Sequence, residues 1–495
     1  MGKKMLIVHG YSDGSESFDG LGDFFVENAG YARRDIVYAD YASMDDEATF
    51  RDFGDKLDED YQRLFPGERI DVACHSTGAL VVRAWLAVRY LRRKARRQDL
   101  TCPVKRLLMF APANFGSDLA GMGQSFLGKF RTTFFNPHSH KREDFLESGK
   151  RVLQGLEPAS PFQWDLSTVD LGSADSYFAA KAPAKERCYP FVFAAGDAYG
   201  GLQAKLIKKR KKPGTDGTVR IAGTSLNARR CRLSLRADGS VFSWEAEHKY
   251  EDIPFAVFAG FNHGTLVHPE KSAKLSEAFV ARHGPGRLAL EALKVTSFAK
   301  YEEMAKRFRT ADQANFEELT GKRQARYQQY FFRVRDDVDL KVDDYFVDFY
   351  VTDSAGRPHR KLTERFDSDF EQKFYRHSDD ASCRVLMLNM TNIDGFVREL
   401  RQAGAKLVFD ITAKPPLPNV HYQQGLFIVY DGAKARGENP NFIVPNTTFL
   451  VNVIMNRRAA SKVLSLSAAS EEEVAAAVET GVGETVVTGR AALLQ

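Results

Sequence analysis

Cysteine is scarce in this chain of 495 residues, and the five present, Cys74, Cys102, Cys188, Cys231 and Cys383, are scattered and odd in number. A disulfide framework needs pairs and a cysteine-ligated metal needs clustered spacing, so neither is expected, and free thiols in a reducing compartment are. Long apolar runs are missing too: no window offers about 18 uninterrupted apolar residues, so no membrane-spanning helix is expected. Met1-Gly2-Lys3-Lys4 runs straight into the apolar Leu6-Ile7-Val8, leaving no room for a cleavable signal peptide. The expectation is a cytoplasmic protein, or one exported by a route without such a peptide. Nucleic-acid-binding motifs, internal repeats and paired histidines at metal-ligand spacing are also absent; His138 and His140 lie in a polar stretch. No cofactor, metal or nucleic-acid partner is therefore expected, and nothing in the sequence sets the oligomeric state.

What is present is a hydrophobic fraction of 43% against 27% charged residues. At this length that composition calls for at least two cores. The most informative segment is Val72-Ala73-Cys74-His75-Ser76-Thr77-Gly78, where an apolar strand end enters a turn and Ala79-Leu80-Val81-Val82 leaves it as a helix. This is the setting of a nucleophile elbow, a sharp strand-to-helix turn that lifts a serine hydroxyl clear of a sheet. Small residues two positions to either side let the strained backbone pass its neighbours; Gly78 fits, while Cys74 replaces the usual first glycine. Near the start, Lys4-Met5-Leu6-Ile7-Val8-His9-Gly10-Tyr11 is a short buried-type strand ending in His-Gly. With the elbow, it nominates the backbone N–H groups of Tyr11 and Thr77 as oxyanion donors.

A serine hydroxyl needs a base, and the base a carboxylate. Two aspartates compete: Asp197 ends Phe191-Val192-Phe193-Ala194-Ala195-Gly196, and Asp216 sits in the tight turn Gly214-Thr215-Asp216-Gly217-Thr218-Val219. Asp216 is favoured, with Asp197 the alternative acid. For the base, His263 follows the apolar run 255–261 and is freed to turn by Gly264, whereas His268, before Pro269, suits the surface. His75, next to the nucleophile, is expected to point away from it.

These pieces, together with Leu108-Met109-Phe110-Ala111-Pro112-Ala113-Asn114-Phe115-Gly116-Ser117, resemble bacterial lipases of the α/β-hydrolase superfamily. Asp-Gly-Thr-Val resembles the acid loop of lipases and of lecithin–cholesterol-acyltransferase-like enzymes. The resemblance covers scattered motifs over residues 4–275 and implies Ser76 as nucleophile, Asp216 as acid, His263 as base and Tyr11 and Thr77 as oxyanion donors. It departs at Cys74 and at Thr265, which stands where many such lipases carry a calcium-binding aspartate.

The fold expected is α/β, an α/β-hydrolase catalytic domain over 1–295 with a helical cap at about 117–185. A helical connector (296–332), an antiparallel β-sandwich accessory domain (333–458) and a tail with a short helix (459–495) follow. In the cap, Met122, Phe126, Leu127, Phe130, Phe134 and Phe135 suit a lid or an acyl channel, and the proline-rich stretch 155–166 reads as an ordered loop. The sandwich rests on alternating runs such as Tyr345-Phe346-Val347-Asp348-Phe349-Tyr350-Val351-Thr352. Acidic positions Asp336, Asp337, Asp339, Asp343 and Asp344 suit a solvated edge better than a calcium site.

Net charge is only +5, but basic residues cluster at Arg89–Arg97, where a helix C-terminus favours them, and at Lys205–Lys212, beside the acid loop. The second run suits peripheral contact with an anionic membrane. The function expected is a serine carboxylic-ester hydrolase, lipase- or phospholipase-like, acting on a lipid-like acyl ester. The alternatives are a lipid acyltransferase using the same acyl-enzyme, or a non-catalytic lipid-binding protein on a degenerate hydrolase frame.

Overall fold

The computed structural model describes residues 3–10, 18–41, 45–118, 120, 149–179, 182–198, 214–235, 242–248, 252–319, 325–370, 372–414, 419–434 and 442–459. The cap residues 121–148, the basic run 205–212 and the tail helix at 470–478 lie outside them.

Apolar runs bounded by turns are what a strand buried on both faces requires, and the chain supplies five before residue 200. These are β1 (Met5–Val8), β2 (Ile36–Ala39), β3 (Ile70–His75), β4 (Val104–Phe110) and β5 (Tyr189–Ala195). Two strands then leave for another sheet, β6 (Arg229–Leu235) and β7 (Phe242–His248), before β8 (Phe255–Phe258) returns. The first sheet has the order β2-β1-β3-β4-β5-β8, and every pairing in it is parallel. Helices α1 (Asp19–Ala29), α2 (Phe50–Leu64) and α3 (Gly78–Ala95) flank it. This is the α/β-hydrolase architecture.

The α3 helix is the spine of the domain. Its inner face is largely apolar, with Leu80, Val82 and Trp85 fully buried. It also buries Arg83 completely, which donates to Asp170 through Nε (2.7 Å) and Nη2 (3.1 Å) and to the Asn114 carbonyl (3.1 Å). Asp170 ends the helix Pro161–Asp170, so this fork clamps that helix to α3. Burial pushes the Asp170 carboxyl upward and the guanidinium opposes it. Two members of the basic cluster further along α3 face α2: Arg89 pairs with Asp58 at 2.5 Å and Arg92 with Asp55 at 2.7 Å. Arg89 is buried, whereas the more exposed Arg92–Asp55 pair contributes about 0–1 kcal/mol, so α2–α3 docking depends more on the apolar contacts and the buried pair beneath it.

The remaining strands are β9 (Tyr327–Asp336), β10 (Tyr345–Thr352), β11 (Gln372–Arg376), β12 (Cys383–Asn389), β13 (Lys406–Ala413), β14 (Val420–Tyr422), β15 (Gly425–Asp431), β16 (Thr448–Met455) and β17 (Arg457–Ala459). Three form an antiparallel sheet, β10-β13-β15; β14 and β17 form a ribbon. A six-stranded sheet of order β11-β12-β9-β16-β6-β7 faces the three-stranded one. It is mixed, because β16 pairs in parallel with both β9 and β6. The space between the sheets is filled by rings, among them Phe332 against Phe409 at 5.9 Å and Phe442 against Phe449 at 4.2 Å.

Two strands of this sandwich thus come from inside the hydrolase sequence, between the acid loop and β8. The two halves also share a core. Trp164 meets Phe331 edge-on at 5.1 Å, the Gln329 amide donates to the Phe115 carbonyl at 3.2 Å, and Thr448 Oγ1 donates to the Ala222 carbonyl at 3.0 Å. Two local readings of the sequence change. The stretch 155–166 is helical on both sides of a bend, with Pro161 at a helix N-terminus, where its missing N–H costs nothing. Residues 327–330, expected as helix, open β9, because their side chains are pulled into the sandwich and the shared core. Asp336 is buried, accepting from the Leu340 N–H at 2.8 Å and from Arg457 at 3.1 Å, while its acidic neighbours at 337, 339, 343 and 344 are exposed.

Removing one member of a buried ion pair strands the other. Arg83→Met is expected to lower unfolding free energy by about 3–5 kcal/mol, with part of the loss recovered in the Arg83→Met/Asp170→Asn double variant, as measured by urea denaturation.

Candidate active site

The site lies at the carboxyl ends of the parallel strands, where helix starts and loops converge. β3 ends at His75, and Ser76 stands in the left-handed region with φ of 53°, a conformation a serine adopts only when its surroundings impose it. Three bonds do so: Ser76 N–H donates to the Phe110 carbonyl at 3.1 Å, and the Ser76 carbonyl accepts from Ala79 (3.3 Å) and Ala113 (3.1 Å). Directly after the turn, α3 begins against the end of β1. A Cβ at Gly78 would stand 2.4 Å from the His9 carbonyl oxygen and 2.6 Å from that of Val8, so only glycine fits. Gly10 lies on the other side, its missing Cβ 3.0 Å from Ser76 Cβ and 3.6 Å from Ser76 Oγ. Cys74 is fully buried in the sheet, where burial raises its thiol pKa and keeps it a small apolar side chain.

Of the two candidate acids, the structure brings Asp216 to the histidine. His263 Nδ1 lies 2.8 Å from Asp216 Oδ2, with both side chains almost completely buried. The other carboxylate oxygen, Oδ1, accepts from the Thr218 (2.9 Å) and Val219 (2.7 Å) N–H groups. The backbones are tied as well, the His263 N–H donating to the Asp216 carbonyl at 3.1 Å. Left-handed Gly214 and Gly217 make the turn possible, and Tyr327 of β9 packs directly on Gly214. Asp197 is occupied elsewhere, with Lys274 and the Gly260 N–H. His263 is presented by an Asx turn in which Asn262 Oδ1 accepts from Gly264 (3.1 Å) and Thr265 (2.9 Å). Thr265 returns the bond, its hydroxyl accepting from Asn262 N–H at 2.9 Å. Among the described residues no group of three or more His, Cys, Asp or Glu is disposed to hold a metal.

His75 does not turn away from the site. Its ring packs on that of His263 at 4.6 Å between centroids, and its Nε2 lies 3.0 Å from the His263 carbonyl oxygen. A carbonyl can only accept, so Nε2 carries the proton. Burial drives the His75 pKa well down and keeps the ring neutral, a brace under the neighbouring histidine. The sequence offered only adjacency to Ser76, which says nothing of the contact across the fold. His268 is exposed, with its ring against Gly20 of α1.

A second polar cluster lies beside the Asp216 turn. Arg220, buried four positions after Asp216, pairs with Asp118 at 2.8 Å and donates to the Tyr375 hydroxyl at 2.9 Å. Ser117 Oγ donates to the Thr218 carbonyl at 2.8 Å. The acid turn is therefore held between the start of the cap segment and β11 of the sandwich. Of the oxyanion candidates, Thr77 is buried at the start of α3, and Tyr11 lies outside the described residues, as do the cap phenylalanines, His138 and His140.

The sequence matches no protein-family profile and no curated protein. Its fold matches solved structures over nearly its whole length. Phospholipase PlaB from Legionella pneumophila in complex with thio-NAD superposes with a TM-score of 0.74 at 22% identity, covering 94% of this chain and 96% of that one. A second structure of phospholipase PlaB from the same organism gives a TM-score of 0.75 at 21% identity, with the same coverage. The match thus takes in the sandwich together with the hydrolase sheet, and it is a likeness of fold.

Gly78→Ala is expected to break the seat of α3 on β1. The clash is with backbone oxygens that cannot swing away, so a loss of several degrees in melting temperature should appear by thermal denaturation.

Proposed function

We propose that the chain is a serine hydrolase of carboxylic esters with lipid-like acyl groups. The observation that carries this is the buried 2.8 Å contact between His263 and Asp216 at the same sheet edge as a serine in a strained elbow turn. In this reading Ser76 Oγ attacks the acyl carbonyl while His263 Nε2 takes its proton. Asp216, accepting from Nδ1, fixes the imidazole's tautomer and stabilises its charged form. The oxyanion is held by the Thr77 and Tyr11 N–H groups, His263 returns the proton to the leaving alcohol, and water then releases the acid by the same steps reversed. The C–O bond broken in the first half is regained as the serine ester, which the second half hydrolyses. Likeness in fold to a phospholipase makes phospholipids the first substrates to try.

Ser76→Ala is expected to abolish p-nitrophenyl ester turnover by about 10³-fold or more with little change in melting temperature. Asp216→Asn should cost about 10⁴-fold in kcat, as loss of the tautomer-setting carboxylate does elsewhere, while Asp197→Asn stays within a few-fold. The reverse ranking would reassign the acid.

Phospholipid specificity is tested separately. If the lysines between 205 and 212 meet anionic headgroups, replacing Lys208, Lys209, Lys211 and Lys212 by Gln should weaken turnover of anionic vesicles and flatten its salt dependence, leaving a short soluble ester unaffected. Equal loss on both would remove the membrane role.

A further inference from the structure

We propose that Tyr41 is a positioning residue for the oxyanion pocket, a role that rests on the reading of Ser76 as nucleophile. Tyr41 lies just past β2, the strand beside β1, yet its side chain reaches the turn after β3. Its hydroxyl is 2.9 Å from the His9 carbonyl oxygen and 3.2 Å from Thr77 Oγ1. The direction of both bonds follows from the chemistry of the groups. A carbonyl only accepts, so the tyrosine proton goes to His9, and the tyrosine oxygen must then accept from the Thr77 hydroxyl.

This hydroxyl is a strut between two backbone segments that have to keep a fixed separation. One is the His9–Gly10 peptide, which leads into the first oxyanion segment. Because that peptide is planar, holding its carbonyl toward Tyr41 also fixes the face turned to Ser76, against which Gly10 packs. The other is Thr77, whose own N–H is the second donor. The ring is held too: it stacks on the His9 imidazole at 4.6 Å and 11°, and leans on Phe53 at 4.9 Å. Burial lowers the pKa of His9, so the stack is between neutral rings. An oxyanion donor acts through its aim at charge that develops only in the transition state, so a strut that fixes that aim governs turnover more than substrate binding.

The test is Tyr41→Phe, which keeps the ring and removes both bonds. With a soluble p-nitrophenyl ester, kcat is expected to fall by about 10- to 100-fold, less than for loss of a donor itself, with KM within about twofold. Affinity for phenylboronic acid, whose serine adduct places a hydroxyl in the oxyanion position, should fall in parallel, and the melting temperature should move little. Thr77→Val should also lower kcat, and the double variant should be no worse than the poorer single one, because both break the same link.

A fall in melting temperature with kcat unchanged would make Tyr41 a brace only and overturn the proposal. So would a rise in KM alone, or multiplicative losses in the double variant. Turnover retained by Ser76→Ala would defeat the reading of the nucleophile instead, so the two failures are told apart.

Discussion

At residue 78 the first turn of α3 rests on two carbonyl oxygens of β1, and no atom beyond hydrogen fits between them. That contact ties the helix leaving β3 to the carboxyl end of the neighbouring strand β1. It holds the start of α3 in place and so forces the preceding residue pair into the tight turn that leaves Ser76 at positive φ. The Phe110 and Ala113 bonds to the Ser76 backbone hold the same turn from the β4 side. Strain stored at one residue is kept because the sheet, the helix and the loop after β4 all have to move for it to relax.

The acid turn is held differently, by polar contacts to three separate parts of the chain. Asp216 has both carboxylate oxygens satisfied, one by backbone N–H groups of its own turn and one by His263. Around it, Ser117, Arg220 and Tyr375 connect the segment after β4, the Asp216 turn and the sandwich, while Tyr327 fills the space over Gly214. The sandwich is consequently no appendage on a flexible linker. It contributes side chains to the support of the turn that carries Asp216, and it borrows β6 and β7 from the sequence between Asp216 and His263.

Histidine plays three parts within one cluster. His263 faces Asp216, His75 sits neutral beneath it, and His9 stacks on Tyr41 at the mouth of β1. Burial lowers the pKa of His75 and of His9, which keeps positive charge off these two rings beside His263.

Much of this was legible from local pattern. Buried parallel strands are written as continuous apolar runs, and the elbow needs a serine between an apolar strand and a helix with a glycine two residues on; both features are confined to a few consecutive residues. The sandwich strands β10, β13 and β16 were likewise readable from alternation. What local pattern could not carry was the contact itself. Asp197 follows an apolar strand and Asp216 sits in a glycine-flanked turn that favours it as the acid, but the packing of the 214–223 loop under β9 and β16 is what brings Asp216 to His263, while Asp197 meets Lys274. Helix and strand compete at 327–330, and the sandwich decides. The residues of β6, arginine-rich and short, carry no strong strand signal; their place beside β16 comes from the core on the other face. His75 and Tyr41 are one polar side chain among many until the fold sets them against a carbonyl. Sequence by itself therefore determined the sheet, the elbow and the residue types of the site, because these depend on neighbours in the chain. Tertiary structure decided the partners, because a hydrogen bond between residues far apart in sequence depends on distances that no local spacing encodes.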